Sequence, residues 1–369
     1  MRTTSEVGDV IRALGDDIQL LQIGAHQKRT LGAIRDCRTA ALGGHIDACT
    51  SCGVVQISYN SCRNRHCPKC QGHKREEWIQ RREHELLPIP YFHVVFTLPS
   101  ELNVVAMREP KMVYDALFEA SWQTIKQFAR NKKVHAGMIS LLHTWGQTLT
   151  LHPHVHCIVP GGGVDDKRIW TRLSSKGKYL FSVKAMSKVY RAKYVSLLRK
   201  NKYDDKALIE SLFAKEWVVY AKRPFGNTRS VIEYLGRYTH KVAISNQRIK
   251  RVDAHSVTFH YKDYKDGAAR KSMTLTNAEF IRRFVQHILP SRYVRIRHYG
   301  ILSSTWKRNH LKALRQSFNL ATLPFVPQLK LHTCPHCKTG QLITIDVFGS
   351  RGPPPHYLRD KQNAPKKQN

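Results

Sequence analysis

The chain has 369 residues, which is enough for roughly two or three domains with their own cores. It carries 61 Lys and Arg residues against 27 Asp and Glu residues, a formal net charge of +34. A charge of this size indicates a polyanionic partner, with nucleic acid as the first candidate and an anionic membrane surface as the second. The charged N-terminus shows no secretory signal, and no apolar run approaches the roughly 18 residues of a membrane span. We therefore expect a cytoplasmic nucleic-acid-binding protein.

The spacing of apolar residues predicts helices and strands along the whole chain. The predicted helices cover residues 6–40 (as two short helices), 74–87, 110–130, 185–200, 205–215, 227–244, 277–288 and 303–317. The predicted strands cover residues 91–98, 138–146, 154–160, 217–221, 257–262, 271–275 and 293–300, with a further hairpin at 169–181. This order indicates an α+β fold with a central antiparallel sheet flanked by helices.

Six of the nine cysteines lie between Cys37 and Cys70. In a reducing compartment such clustering indicates metal binding rather than disulfides. Two Cys-x-x-Cys knuckles stand in this region, and one tight turn of this kind supplies two thiolates to a tetrahedral Zn²⁺ ion. We predict that the two knuckles share one structural zinc ion, with the segment 54–59 between them as a short hairpin arm. The predicted ligands are Cys49, Cys52, Cys67 and Cys70.

Other metal-binding side chains near the knuckles remain unassigned. Cys37, Cys62, His45 and His66 are sufficient for a second site, but simple burial explains them as well. A third knuckle, Cys334/Cys337, is too short to complete a site by itself.

Basic residues crowd the second knuckle, and a zinc knuckle surrounded by cations is a plausible DNA contact surface. A solvated basic face is the simpler explanation of the same charges. The residues that we predict to contact DNA are Arg63, Arg65, Lys69, Lys74 and Arg75, together with Arg237 further along the chain.

A paired-histidine strand occupies the middle of the chain. Side chains two apart on a strand point to the same face, so His154 and His156 project together while Val155 and Cys157 fill the other side. Two neighbouring imidazoles make half of a metal site. Because Pro153 cannot donate a ladder hydrogen bond, we expect the strand to begin at His154. An exposed polar face is the alternative, and the glycines at 161–163 end the strand or permit close approach.

A tyrosine pair lies on the helix predicted from Asn227. Tyr234 and Tyr238 are four residues apart and share a face, with Lys241 three positions further on. A tyrosine oxygen can attack a phosphate that a divalent ion polarises, provided that a cation such as Lys241 or Arg237 lowers its pKa. Aromatic packing in the core is the alternative for both tyrosines.

These motifs, in this order, resemble the two-tyrosine HUH transposases of rolling-circle insertion sequences (the insertion sequence ninety-one type). The resemblance spans about residues 35–302. It rests on the cysteine block 49–70, Phe-Thr-Leu-Pro at 96–99, His-Pro-His-Val-His-Cys-Ile-Val-Pro-Gly-Gly-Gly at 152–163, Tyr-Leu-Gly-Arg-Tyr-Thr-His-Lys-Val-Ala-Ile-Ser-Asn at 234–246, and the segments 279–284 and 297–300.

The resemblance implies an HUH endonuclease that nicks and transfers single-stranded DNA through a covalent 5′-phosphotyrosine. By motif match, His154 and His156 bind a catalytic Mg²⁺ or Mn²⁺ ion, and Tyr234 and Tyr238 are the nucleophiles. It also implies a bacterial, nucleoid-associated protein without a membrane partner. The expected organisation is a helical segment (1–40), a zinc module (41–75), the catalytic domain (76–248), its basic extension (249–325) and a knuckle with a basic tail (326–369).

Several questions stay open at this level. The third ligand of the catalytic metal could be Gln147, His143, His93, His152 or His240. An HUH replication initiator or relaxase is one alternative function, although the zinc block favours the transposase. A zinc-dependent DNA-binding protein without catalysis is another, and it leaves both the histidine and the tyrosine pairs unexplained. RNA binding is weaker still, because no aromatic RNA-reading signature stands out.

Overall fold

The computed structural model describes residues 5–70, 78–82, 84–173, 180–222, 230–231, 236, 242–320, 326 and 333–357. The chain divides into two compact units. The terminal unit comprises Met1–Glu77, His240–Ile288 and Pro327–Asn369, and the central unit comprises Trp78–Thr239 and Leu289–Val326. Among the described residues, no helix combines the length and apolar character needed to cross a bilayer.

The helices and strands closely follow the predicted elements. The α-helices are α1 Val7–Leu14, α2 Ala25–Asp36, α3 Asn103–Arg108, α4 Pro110–Arg130, α5 Val183–Lys200, α6 Lys206–Phe213, α7 Asn277–Val285 and α8 Ser304–Ser317. The strands are β1 Gly44–Cys49, β2 Val55–Tyr59, β3 Tyr91–Thr97, β4 Gly137–Trp145, β5 Leu151–Pro160, β6 Gly162–Val164, β7 Trp170–Arg172, β8 Val219–Ala221, β9 Ile249–Val252, β10 Ser256–Asp263, β11 Ala269–Thr276, β12 Ile296–Gly300 and β13 Leu342–Phe348. Short 3-10 turns cover Gly15–Gln19, Ala40–Leu42, Ser100–Leu102 and Asn246–Arg248.

The terminal unit contains two three-stranded antiparallel sheets, ordered β13-β1-β2 and β11-β10-β9. The amide of Val7, at the start of α1, donates to the side chain of Asn246, and the side chain of Gln27 in α2 donates to the carbonyl of Val285. Long-range pairing therefore gathers three separated stretches of sequence into one unit. The ranges His240–Ile288 and Pro327–Asn369 belong to the same compact unit as the N-terminal region, and β13 pairs with β1 within it.

The central unit is built on a five-stranded sheet of order β12-β4-β5-β3-β8, in which every pairing is antiparallel. One face is buried beneath α4 and α5, where Phe96 and Val155 belong to the same core as Leu117 and Tyr190. The other face packs with residues of α8. The predicted α+β class, with a central antiparallel sheet flanked by helices, is confirmed. β4 is buried at every position from Gly137 to Thr144, and such a continuous buried run is expected of a strand that is covered on both faces.

The histidine strand begins three residues earlier than predicted. β5 starts at Leu151 and includes Pro153. The β4–β5 register shifts between the pairs His143↔His154 and Trp145↔Leu151, which leaves Pro153 in an irregular stretch of the ladder. A proline is tolerated there because its missing N–H is not required by a regular pairing.

The glycine run continues into a second short sheet instead of a loop. β6 pairs with β7, so Trp170 lies opposite Val164. Residues 174–179 of the predicted hairpin 169–181 lie outside the described residues. A Cβ atom on Gly163 would lie 2.2 Å from the carbonyl oxygen of His135. Only glycine permits this approach of two backbones.

Candidate functional site

Three histidines of the central sheet converge on one point. The side chains of His143, His154 and His156 each offer a ring nitrogen, and these atoms lie within 4.8 Å of one another. The cluster follows from the ladder: His143 on β4 lies directly opposite His154 on β5. His156, two residues further along β5, points to the same face as His154. The opposite face of β5 carries Val155 and Cys157 into the core, as predicted.

The imidazole rings meet at angles rather than in a stack. The ring of His143 is 4.6 Å from that of His156 and 5.5 Å from that of His154, with interplanar angles of 65° and 85°. His143 and His156 are buried, whereas His154 is half-buried and borders the solvent. The cluster can therefore offer nitrogen donors to an ion while one side remains accessible to a substrate.

A hydrogen bond selects the tautomer of the His154 ring, and a stacking contact orients the His143 ring. Nδ1 of His154 lies 2.6 Å from the carbonyl oxygen of His152, and because a carbonyl oxygen only accepts, this nitrogen carries the proton. In the neutral ring of His154 the lone pair then resides on Nε2. The ring of His143 stacks on Trp145, with centroids 4.7 Å apart. Such outer contacts fix the orientation of metal-binding imidazoles.

His93 on β3 orients the third ring. Its Nε2 atom lies 2.9 Å from Nδ1 of His156, and the two rings stack at 11°. Burial, with smaller contributions from the charges of Lys222 and His154, lowers the pKa of His93 to about 4. His93 is therefore neutral near pH 7, and its Nε2 can accept a hydrogen bond from the Nδ1–H group of His156.

The structure distinguishes among the candidates for a third ligand. His143 joins the predicted pair, whereas His93 contacts the ring of His156 and His152 contributes its backbone carbonyl to His154. His240 lies outside the described residues.

The cysteines form two clusters, and the predicted grouping around one ion is wrong. Cys67 and Cys70 join two residues that sequence left unassigned, and Cys49 and Cys52 join the third knuckle. The pairing of β1 with both β2 and β13 separates the first two knuckles and brings the C-terminal knuckle to the first. The clusters are Cys37, Cys62, Cys67 and Cys70, called here the N-terminal cluster, and Cys49, Cys52, Cys334 and Cys337, called the end-to-end cluster.

Both clusters have the spacing of a tetrahedral metal site. In the N-terminal cluster, the sulfur of Cys70 lies 3.4 Å from that of Cys37 and 3.6 Å from that of Cys62. Four thiolates around zinc, each about 2.3 Å from the ion, stand roughly 3.8 Å apart, and a disulfide is close to 2 Å. The sulfur atoms therefore fit a shared ion better than disulfides.

The predicted DNA-contact residues differ in their surroundings. Arg63 is exposed, and burial lowers the pKa of the half-buried Arg65. Lys69 forms an ion pair with Glu6 and donates to the carbonyl of Cys37 at 3.1 Å. Lys69 thus contributes to the packing of the terminal unit. Lys74 and Arg75 lie outside the described residues.

The predicted nucleophiles, Tyr234 and Tyr238, and the cations Arg237 and Lys241 also lie outside the described residues. Within the predicted helix 227–244, the described residues 230–231 and 236 are helical as predicted, whereas residues 242–244 are not helical.

The roles of His143 and of the Cys334/Cys337 knuckle do not follow from the sequence with certainty. His143 was one of five candidates, yet the antiparallel pairing of two adjacent predicted strands places it across from His154. Cys334 and Cys337 supply only two ligands by themselves, and an isolated pair of ligands is a signal for a distant partner.

Comparisons with known protein families place two stretches of the chain. A family model described as "Putative transposase" matches residues 137–310, which contain the three histidines. A second, described as "Transposase zinc-binding domain" of the IS91 type, matches residues 10–98, which contain six of the cysteines.

Two curated proteins are similar over most of their length. A putative transposase, y4qJ, of Sinorhizobium fredii is 39% identical, over 96% of this chain and 98% of the relative. The transposase for insertion sequence element IS801 of Pseudomonas savastanoi pv. phaseolicola is 28% identical, over 85% of this chain and 78% of the relative. No solved structure matches the chain.

Proposed function

Because the chain belongs to the IS91-type transposase family, we propose that it mobilises DNA by nicking and rejoining single strands at the histidine cluster. Membership of the family makes the protein a DNA-acting enzyme with an N-terminal zinc-binding domain. The single-strand preference and the phosphotyrosine route are the proposed part. The observation that carries the proposal is the convergence of His143, His154 and His156 on a sheet that the transposase family model covers.

The donor set of the cluster fits a divalent ion. Three ring nitrogens within 4.8 Å of one another can bind one ion, and the half-buried His154 leaves a side for substrate oxygens and water. When bound there, the ion would polarise a phosphate and stabilise the negative charge on its oxygens. Imidazoles suit transition-metal ions better than Mg²⁺, which prefers oxygen ligands. We therefore favour Mn²⁺ over Mg²⁺ among the two ions that the family resemblance implies.

Hydrogen bonds within the chain set the tautomers of the two histidines on β5. The carbonyl of His152 keeps the proton of His154 on Nδ1, and His93 can hold that of His156 on Nδ1. Both arrangements direct an Nε2 lone pair toward the cluster. His93 has a role in positioning His156 rather than in binding the ion.

The proposed covalent step uses the tyrosine pair. The phenol oxygen of Tyr234 or Tyr238 attacks a phosphorus, the bond from phosphorus to the 3′-oxygen breaks, and that oxygen leaves as a 3′-OH with a proton. A new 5′-phosphotyrosine bond replaces the phosphodiester and retains its energy, so a second 3′-OH can reverse the step. Arg237 and Lys241 are the proposed cations that favour the phenolate form. Two tyrosines permit two transfers without release of the DNA.

We propose that the N-terminal cluster, Cys37, Cys62, Cys67 and Cys70, holds the structural Zn²⁺ ion of the family's zinc-binding domain. The exposed Arg63 beside it remains a proposed DNA contact, as do Arg65, Lys74 and Arg75. The net charge of +34 favours binding to DNA, which would place the protein at the nucleoid. Its affinity for DNA should weaken steeply as the salt concentration rises. Both curated relatives carry the word transposase in their names, so the replication-initiator and relaxase alternatives receive no support.

The proposal is tested by trapping the covalent product. Labelled single-stranded oligonucleotides from the element ends are incubated with protein and Mn²⁺, and denaturing gels reveal any protein–DNA adduct. We expect an adduct that Tyr234→Phe or Tyr238→Phe reduces and that the double variant abolishes. Tyr220→Phe is the matched control, because Tyr220 is 54% exposed on β8 and has no proposed role. An adduct that persists in the double variant contradicts the tyrosine assignment, and equal reaction with duplex DNA contradicts the single-strand preference.

A further inference from the structure

We propose that the end-to-end cluster, Cys49, Cys52, Cys334 and Cys337, binds a second structural Zn²⁺ ion that fastens the C-terminal segment 333–348 to the N-terminal zinc module. The matched zinc-binding family model ends at residue 98, so it contains only half of this ligand set. The inference is independent of the nuclease chemistry, because it concerns only the terminal unit.

The sulfur atoms have the geometry for one ion. The sulfurs of Cys49 and Cys337 lie 3.7 Å apart, and those of Cys52 and Cys334 lie 3.8 Å apart. These are the separations of neighbouring ligands in a tetrahedral zinc–thiolate site, roughly 3.8 Å, and they are too long for disulfides. Each of these two sulfur pairs takes one cysteine from each knuckle, so both cysteines of the first knuckle lie next to a cysteine of the second. Cys49 and Cys334 are buried, while Cys52 is exposed and Cys337 half-buried.

The two knuckles have the same backbone construction. The amide of Gly53 donates to the carbonyl of Cys49 at 3.1 Å, and the amide of Lys338 donates to the carbonyl of Cys334 at 2.9 Å. Gly53 and Lys338 both have positive φ angles, 67° and 62°. A lysine rarely adopts this conformation, so its presence at the equivalent position indicates that the turn itself is required.

Backbone amides point at the sulfurs of both knuckles. The amide of Ser51 donates to the sulfur of Cys49 at 3.4 Å, and that of Gly340 donates to the sulfur of Cys337 at 3.2 Å. Such bonds stabilise thiolates, the form that binds zinc. A Cβ atom at Gly340 would lie 2.5 Å from the sulfur of Cys49, so only glycine allows the second knuckle to close on the first.

A strand ladder continues from the cluster. β13 pairs with β1 from Cys49↔Leu342 to Gly44↔Phe348, on the side of β1 opposite β2. β13 leaves Ile343, Ile345 and Val347 exposed and so buries little apolar surface. An edge strand with so small a core contribution needs another source of stability, and a zinc ion at its beginning supplies one.

The first test counts thiolate-bound metal. Cobalt bound by cysteine sulfur gives charge-transfer absorption that histidine ligands do not give, which separates these sites from the histidine cluster. We expect two such equivalents per wild-type chain. Cys49→Ser with Cys52→Ser, and Cys334→Ser with Cys337→Ser, should each remove one equivalent, and all four substitutions together should remove no more than one. His336→Ala, an exposed change within the same knuckle, should retain both.

The pattern of losses decides the outcome. If Cys49 and Cys52 instead share an ion with Cys67 and Cys70, the Cys67→Ser/Cys70→Ser variant should lose the same cobalt equivalent as the Cys49→Ser/Cys52→Ser variant. The Cys334→Ser/Cys337→Ser variant should then lose none, and the proposal fails. Should a variant misfold, alkylation of the wild-type chain provides a second test. With zinc bound, Cys52 and Cys337 should resist alkylation despite their accessibility, and a chelator should expose both together. Rapid alkylation of either residue in the zinc-loaded protein overturns the proposal.

Discussion

The histidine cluster of the central unit and the cysteine clusters of the terminal unit use different numbers and kinds of donor atoms. Each cysteine cluster provides four sulfurs, which complete a tetrahedron, whereas the histidine cluster provides three nitrogens. A site closed by four thiolates leaves no coordination position for a substrate, as is typical of structural zinc sites. An incomplete nitrogen site leaves coordination positions for a phosphate and for water. Ligand count alone thus separates the architectural role proposed for one region from the chemical role proposed for the other.

The two regions also differ in how the chain builds them. The histidines come from two adjacent strands of one hairpin, so local pairing suffices to align them. The end-to-end cluster joins residues 282 and 288 positions apart. Bringing the two ends of so long a loop together costs conformational entropy. A shared ion, together with the β1–β13 ladder, offsets this cost and stabilises the closed arrangement.

The largest expected effect is the loss of the N-terminal cluster. Cys37→Ser with Cys62→Ser should release one zinc ion and unfold much of the terminal unit, because structural zinc contributes on the order of 10–16 kcal/mol in small zinc modules. Zinc content and thermal unfolding measure the effect, with His45→Ala as a control outside the cluster. Mn²⁺ binding at the histidine cluster should remain. If both kinds of metal binding fail together, the division of roles between the regions is incorrect.

Removal of a histidine ligand should have the next largest effect. His156→Ala should slow single-strand cleavage by about 10²–10³-fold, since it removes part of the electrostatic stabilisation of the transition state. His152→Ala is a control outside the cluster. It removes a ring that lies 5.2 Å from that of His154, but it keeps the backbone carbonyl that accepts from Nδ1 of His154. Single-turnover rates of the two variants should therefore differ greatly. Similar rates would remove the histidine cluster from the chemistry.

The outer contact of His93 should matter less. His93→Ala should weaken Mn²⁺ binding by about 10–100-fold, because His156 loses the partner of its Nδ1 atom. His93→Gln keeps an acceptor oxygen and should recover part of the affinity, which a purely structural role would not explain. Calorimetric titration with Mn²⁺ distinguishes the three proteins. Unchanged affinity in His93→Ala would show that His156 is oriented without it.

A half-buried histidine of the same sheet, His298 on β12, provides the smallest expected effect. Burial, followed by the charges of Lys307 and Arg82, lowers the pKa of His298 from 6.5 to about 3. Below pH 6.5 the unfolded chain takes up a proton that the folded chain refuses, so the free energy of unfolding falls as the pH drops toward 3. The slope is at most roughly 1.4 kcal/mol per pH unit. His298→Gln should flatten it in denaturant titrations at several pH values, and an unchanged slope would assign the acid sensitivity elsewhere.

Sequence predicted the regular elements well and the distant pairings poorly. The strand of His154 and His156 was recognisable because alternating apolar residues define its inner face. The start of β5 was misjudged because the ladder irregularity at Pro153 depends on its neighbour β4. The cysteine grouping was misjudged because proximity in sequence favoured Cys49 with Cys67, whereas β13 brings Cys334 from the other end. Spacing reveals that knuckles exist but not which of them share an ion.

The central claim is that His143 completes the metal site with His154 and His156, and Mn²⁺ binding tests it most directly. Electron paramagnetic resonance titration of the zinc-loaded protein should show one Mn²⁺ ion per chain at the histidine cluster. His143→Ala should weaken this binding at least about tenfold, and His135→Ala, which removes an exposed histidine paired with Asp166, should leave it unchanged. Wild-type affinity in His143→Ala would contradict the account.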